Sequence, residues 1–68
     1  METEIVMKLE GLHGKDAGEQ ILRRIQKMPG IEYVSVDVPK GLVTIMGGDI
    51  DRLTIEDDIE SLGYILVR

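Results

Sequence analysis

The sequence predicts a small α+β fold. Four strands and two helices follow in the order β-α-β-β-α-β, giving a four-stranded antiparallel sheet with both helices on one face. Three observations carry this. Apolar residues alternate with period two at Ile5/Met7/Leu9, at Val34/Val36/Val38 and at Val43/Ile45, the repeat of half-buried strands. They recur at spacings of three and four at Ala17/Ile21/Ile25/Met28 and at Ile55/Ile59/Leu62, the repeat of a helix face. Glycine or proline stands at nearly every junction.

The first strand covers Glu4 to Leu9, and Gly11 and Gly14 then open a loop. Asp16 either caps the helix that follows or falls with Lys15 in its first turn. The apolar stripe of that helix has Leu22 beside it. Arg23, Arg24 and Lys27 come late, where positive charge suits the helix dipole, and Pro29-Gly30 ends it. The second strand runs through Tyr33 to Val38, and Pro39-Lys40-Gly41 reads as a hairpin turn. The third strand is Leu42 to Met46, broken by Gly47-Gly48-Asp49. For the second helix Asp51 is a plausible N-cap, with Thr54 and Asp57 as a competing capping box. Gly63 suits the residue just past its end, and Tyr64 to Val67 closes the chain as a fourth strand. Each half is a strand-helix-strand unit with a right-handed crossover, which together make the ferredoxin-like βαββαβ sandwich.

At 68 residues the chain has material for one domain, 1–68, with no linker and no low-complexity segment. A domain this size buries only about 60% of its unfolded surface. Many such domains add disulfides or a metal. With no cysteine, Phe or Trp, and tyrosine only at Tyr33 and Tyr64, the core is aliphatic and disulfides are impossible. The absence of thiols also removes thiolate-metal and thiol-redox chemistry.

The net charge of −5 disfavours nucleic acid and anionic membrane surfaces alike. Tyr33 alone does not supply the stacking platforms RNA needs. No apolar run is long enough to span a bilayer, and the acidic start Met1-Glu2-Thr3-Glu4 lacks the character of a signal peptide. A cytoplasmic protein without membrane insertion is expected. No catalytic constellation is visible, since there is one histidine and no nucleophile paired with a base. An enzyme is not expected, and no cofactor is indicated. Gly11-x-x-Gly14 ahead of a helix matches neither the Walker nor the dinucleotide pattern. Met1, Met7, Met28 and Met46 read as core filling rather than as a thioether site. The run Glu56, Asp57, Asp58, Glu60 reads as a solvated helix face.

Several pieces, in this order and spacing, resemble the heavy-metal-associated domain family. They are Glu10-Gly11-Leu12-His13, Met28-Pro29-Gly30-Ile31, Val34-Ser35-Val36-Asp37, Gly41-Leu42-Val43-Thr44-Ile45 and Ile59-Glu60-Ser61-Leu62-Gly63-Tyr64. The resemblance covers essentially the whole chain. It implies a ferredoxin-like fold, kinship with copper chaperones and with the N-terminal modules of metal-exporting ATPases, and a role in metal transport.

The family signature Gly-Met-x-Cys-x-x-Cys reads here Gly11-Leu12-His13-Gly14-Lys15-Asp16-Ala17. Both thiolate positions are filled by residues without donor atoms, and soft sulfur is what selects monovalent copper. The resemblance therefore implies a degenerate metal loop, residues 11–17, with Tyr64 packed close to Leu12 and Ala17 and its hydroxyl reaching water or the loop. His13 and Asp16 are the only candidate metal ligands there, fewer than a zinc site normally takes. They define an alternative reading, an atypical copper or zinc carrier.

The positive charges Lys15, Arg23, Arg24 and Lys27 lie on the same side of the sheet as the acidic second helix. Family members dock through a basic helical face against an acidic one. The resemblance thus implies a protein partner such as a metal-transporting ATPase or a related domain, and a non-enzymatic interaction or regulatory role.

Overall fold

The structure, a computed structural model, describes residues 2–68; the reading of Met1 lies outside them. It contains β1 (Glu2–Glu10), α1 (Gly14–Gln26), β2 (Ile31–Asp37), β3 (Leu42–Gly48), α2 (Arg52–Ser61) and β4 (Ile65–Val67). The sheet order is β2-β3-β1-β4 and every neighbouring pair is antiparallel. β1 and β2 therefore run parallel with β3 between them, and β3 and β4 parallel with β1 between them. Each of these two connections carries one helix. This is the ferredoxin-like βαββαβ fold.

The core follows from the alternation. Ile5, Met7 and Leu9 of β1 and Val43 and Ile45 of β3 are buried, with Ile5 opposite Ile45 and Met7 opposite Val43. Ile21 and Ile25 of α1 and Ile55 and Ile59 of α2 join the same cluster. The intervening residues Glu4, Val6 and Lys8 are exposed, so both helices cover one sheet face and leave the other open. Complete burial of an Ile or Leu side chain contributes about 1.5–3 kcal/mol, and six side chains here are buried to below 2%. An aromatic-poor sequence thus still builds a dense core.

The elements differ from the sequence reading mainly at their ends. α1 stops at Gln26, so Met28 packs on the core from the turn rather than from the helix. Pro29 accounts for this, because the residue before a proline is driven out of the helical region. Leu62 is likewise the C-cap of α2 rather than its last turn, and the Gly63 amide closes that end by donating to the Glu60 carbonyl (3.0 Å). Of the two start signals for α2, Asp51 prevails. Its carboxylate accepts from the Leu53 amide (3.1 Å) and from the Thr54 hydroxyl (3.0 Å).

β3 runs on through Gly47 and Gly48, where a break was expected. The turn after α1 packs onto this end of the strand, and the Gly48 amide donates to the Gly30 carbonyl (3.1 Å). A β-carbon on Gly47 would collide with that same carbonyl oxygen. Glycine serves here as the close-approach residue of a strand and not as its terminator. The break falls instead at Asp49, the only non-glycine residue with positive φ (57°) among those described.

Candidate functional site

The loop between β1 and α1 is anchored by Leu12, which is buried in the core cluster although it belongs to no strand or helix. On either side the chain is exposed at Gly11, His13, Gly14, Lys15 and Asp16. His13 is the N-cap residue of α1, yet its side chain makes no capping hydrogen bond. Asp16 does not cap the helix; it lies in the first turn, where a carboxylate favours the positive end of the dipole. Gly14 begins the helix with φ 80°, a conformation that strains any residue carrying a β-carbon. Glycine is thus what the backbone requires at this point. Ala17, one turn in, packs half-buried against the core.

The hairpin turn closes over the loop from the other side. The Leu9 amide donates to the Gly41 carbonyl (2.7 Å). Loop and turn together line a shallow depression that includes His13 and Lys40. Asp16 opens elsewhere, into the groove beside α1 and the end of α2. The two candidate ligands therefore border different depressions. Among the described residues, no group of three or more His, Cys, Asp or Glu is placed to hold a metal ion.

Tyr64 packs against the same core cluster as Leu12 and Ala17. Its hydroxyl does not reach the loop. It donates to the Gln20 side-chain oxygen on α1 at 2.9 Å, tying the segment before β4 to the first helix. Gln20 carried no signal of its own in the sequence; its exposed helical position names no partner.

The four basic residues separate into two sets. Arg23, Arg24 and Lys27 line the groove that Asp16 and Gln20 share. Lys15 lies apart, on the side of α1 that faces Val36 of β2 and Val38 just beyond it. Arg24 is engaged across the helices, its Nε and Nη2 donating to the two oxygens of Asp58 at 3.3 and 3.4 Å. Arg23 approaches Glu19 one turn earlier at 3.9 Å. Lys15 and Lys27 make no ion pair among the described residues.

The acidic run of α2 is not uniformly solvated. Glu56 is buried, with its side chain 7% exposed. Arg52 donates to it at 2.9 Å and Arg68 approaches at 3.8 Å. A carboxylate tolerates such burial when it is paired. The i,i+4 spacing of Arg52 and Glu56 is a signal the sequence does carry, whereas the approach of Arg68 from beyond β4 is not.

Residues 6–64 match the model of the heavy-metal-associated domain. The chain belongs to that family. This heavy-metal-associated domain is also similar in structure to a chain described as the CsoZ metallochaperone, with TM-score 0.94, 25% identity and all of both chains covered. A chain described as the CopZ metallochaperone matches with TM-score 0.90 at 19% identity over 96% of this chain and all of that one, a likeness of fold. The water-soluble region of the P-type ATPase CopA from Bacillus subtilis matches with TM-score 0.88 at 25% identity, over 98% of this chain and 46% of that one. No curated protein matches the sequence. Among the described residues, no helix is long and apolar enough to cross a membrane.

Proposed function

We propose that this heavy-metal-associated domain is a non-enzymatic docking or regulatory module of a metal-transport system, one that carries no thiolate cargo. Its partner is a metal-transporting ATPase or a related domain with an acidic helical face. The observation that carries the reading is the groove along α1. Arg23, Arg24 and Lys27 outnumber Asp16 and Glu19 along it, while the adjacent loop offers no sulfur and its backbone at Gly14 favours glycine. Kinship with chaperones and with an ATPase soluble region supports a metal-linked setting. Complementary charge of this kind governs encounter rate and partner choice more than affinity.

The test is an amide NMR titration with an acidic-faced N-terminal domain of a metal-exporting ATPase at low and high salt. Shifts are expected along residues 16–27, and they weaken as salt rises. Lys27→Glu is expected to weaken binding by about fivefold or more. Asp58→Asn is expected to strengthen it, because it releases Arg24 for the partner. Unchanged affinity in both variants would sink the reading.

The alternative, an atypical carrier using His13 and Asp16, is separated from it by a metal titration of the pure protein. Monovalent copper and zinc are competed against a chromophoric chelator. No binding tighter than about micromolar is expected from two separated, exposed ligands. A tight one-to-one site abolished by His13→Ala would establish the carrier instead.

A further inference from the structure

One interior strand of the sheet is covered along only part of one edge. β1 spans nine residues and pairs with β3 without a break from Glu2 to Lys8. On its other edge β4, three residues long, covers Lys8, Leu9 and Glu10 and nothing earlier. The Leu9 amide donates to Gly41, on the β3 side. In an antiparallel ladder the N–H and C=O of successive residues point to alternate edges. Those of Glu2, Glu4 and Val6 therefore point to the β4 side, ahead of where β4 pairs. Among the described residues no backbone hydrogen bond reaches them there. A depression of about 260 Å³ opens past the end of β4, between Val6 and Met7 of β1 and Arg52 and Glu56 of α2. The far edge of the sheet differs. There β2 carries a register shift between Ile31 and Tyr33, an irregularity of the kind that discourages pairing.

The side chains along the uncovered edge set the chemistry of what can pair with it. Glu2, Glu4 and Val6 are exposed on the open face of the sheet. Neither glutamate enters an ion pair among the described residues. Val6 (48%) and Val67 (44%) add exposed apolar surface at the end of β4. A strand laid in line with β4 continues its register, and its residues come to stand opposite Val6, Ile5, Glu4, Thr3 and Glu2 in turn. Directly opposite side chains share a face, about 4.5–5.5 Å apart. An apolar residue then suits the place opposite Val6, and basic residues suit those opposite Glu4 and Glu2. The alternate residues turn to the helix side, where Arg52 and Arg68 flank Glu56, so basic side chains are disfavoured there. A second copy of β1 does not meet these terms. Antiparallel pairing of two such edges in full overlap sets Glu4 against Glu4, and like charges directly opposite are destabilising.

We propose that the uncovered edge of β1, from Glu2 to Val6, docks an extended basic segment of a partner protein, which adds a strand antiparallel to β1. On its outer side the segment reads apolar, basic, basic, with uncharged residues between. Main-chain hydrogen bonds supply the affinity, and the two carboxylates supply the choice of sequence. So short a contact is weak, with a dissociation constant on the order of 100 μM. It is separate from the α1 groove.

The test titrates the isotope-labelled full chain with a capped peptide Val-Thr-Lys-Val-Lys to about 1 mM, following amide shifts and hydrogen exchange. Saturable binding is expected, with slowed exchange at the Glu4 and Val6 amides and no change at Tyr33 or along α1. The same peptide with Glu at both Lys positions is expected to bind about tenfold more weakly. Glu2→Lys and Glu4→Lys together, both at exposed positions, are expected to reverse that preference. Val6→Pro removes an N–H that the fold does not use, on a strand edge where proline is tolerated. It is expected to weaken binding by about tenfold while leaving the unfolding midpoint in place. Should that midpoint fall, the charge reversal decides alone. No saturable binding overturns the proposal. So does equal binding of the two peptides, a folded Val6→Pro variant that binds like the wild type, or shifts confined to α2 or to the β2 edge.

Discussion

At Gly14 the backbone sets the terms on which a metal site could be rebuilt. Cysteines at positions 14 and 17 would restore the two donors, but position 14 holds φ 80°. The double variant G14C/A17C is expected to gain tight monovalent copper binding in a chelator competition. It is also expected to lose about 1–2 kcal/mol of stability in denaturant titration while metal-free. His13 shows the converse case, an N-cap residue without a capping bond. His13→Ser is expected to stabilise the domain by about 0.5–1 kcal/mol, read as a higher unfolding midpoint. Gly47→Ala is expected to cost about 2 kcal/mol or more, because its β-carbon meets a backbone oxygen that cannot swing aside.

Among the elements, α2 shows most clearly what a periodic pattern can and cannot say. Ile55 and Ile59 marked its inner face correctly, because apolar spacing alone places them. Glu56 sits between them in sequence and is buried as well, which no hydrophobic pattern announces. Its burial rests on Arg52 from its own helix and Arg68 from beyond β4. Arg52→Ala is expected to destabilise the domain by about 1–3 kcal/mol, because it leaves a buried carboxylate with only a 3.8 Å neighbour. Arg68→Ala is expected to cost less, and paired thermal melts distinguish the two. The Arg24–Asp58 pair is half-exposed and contributes at most about 1 kcal/mol. α1 is the contrasting case. Its apolar stripe was legible as far as Ile25, whereas the stop at Gln26, ahead of Met28, and the division of its basic residues into two surfaces were not. Lys15 and Arg24 are nine residues apart, about half a turn from coincidence at 3.6 residues per turn.

For the molecule as a whole, the order of elements and the core were readable because each rests on local repeats and turn residues. Contacts between distant segments were not, as the Tyr64–Gln20 hydrogen bond and the Leu9–Gly41 contact show.

The left-handed backbone at Gly14 also bears on the history open to this lineage. A first cysteine at position 14 brings strain at once, and a single thiolate on the loop gains no second donor to compensate. A first cysteine at position 17 finds glycine at the paired position 14, which offers no side-chain donor. Neither order of substitution passes through an intermediate that binds soft metal well, so selection for metal has no slope to climb. The loop thus sets a threshold of two changes: positions 14 and 17 must both become cysteine before a soft metal finds a pair of sulfur donors.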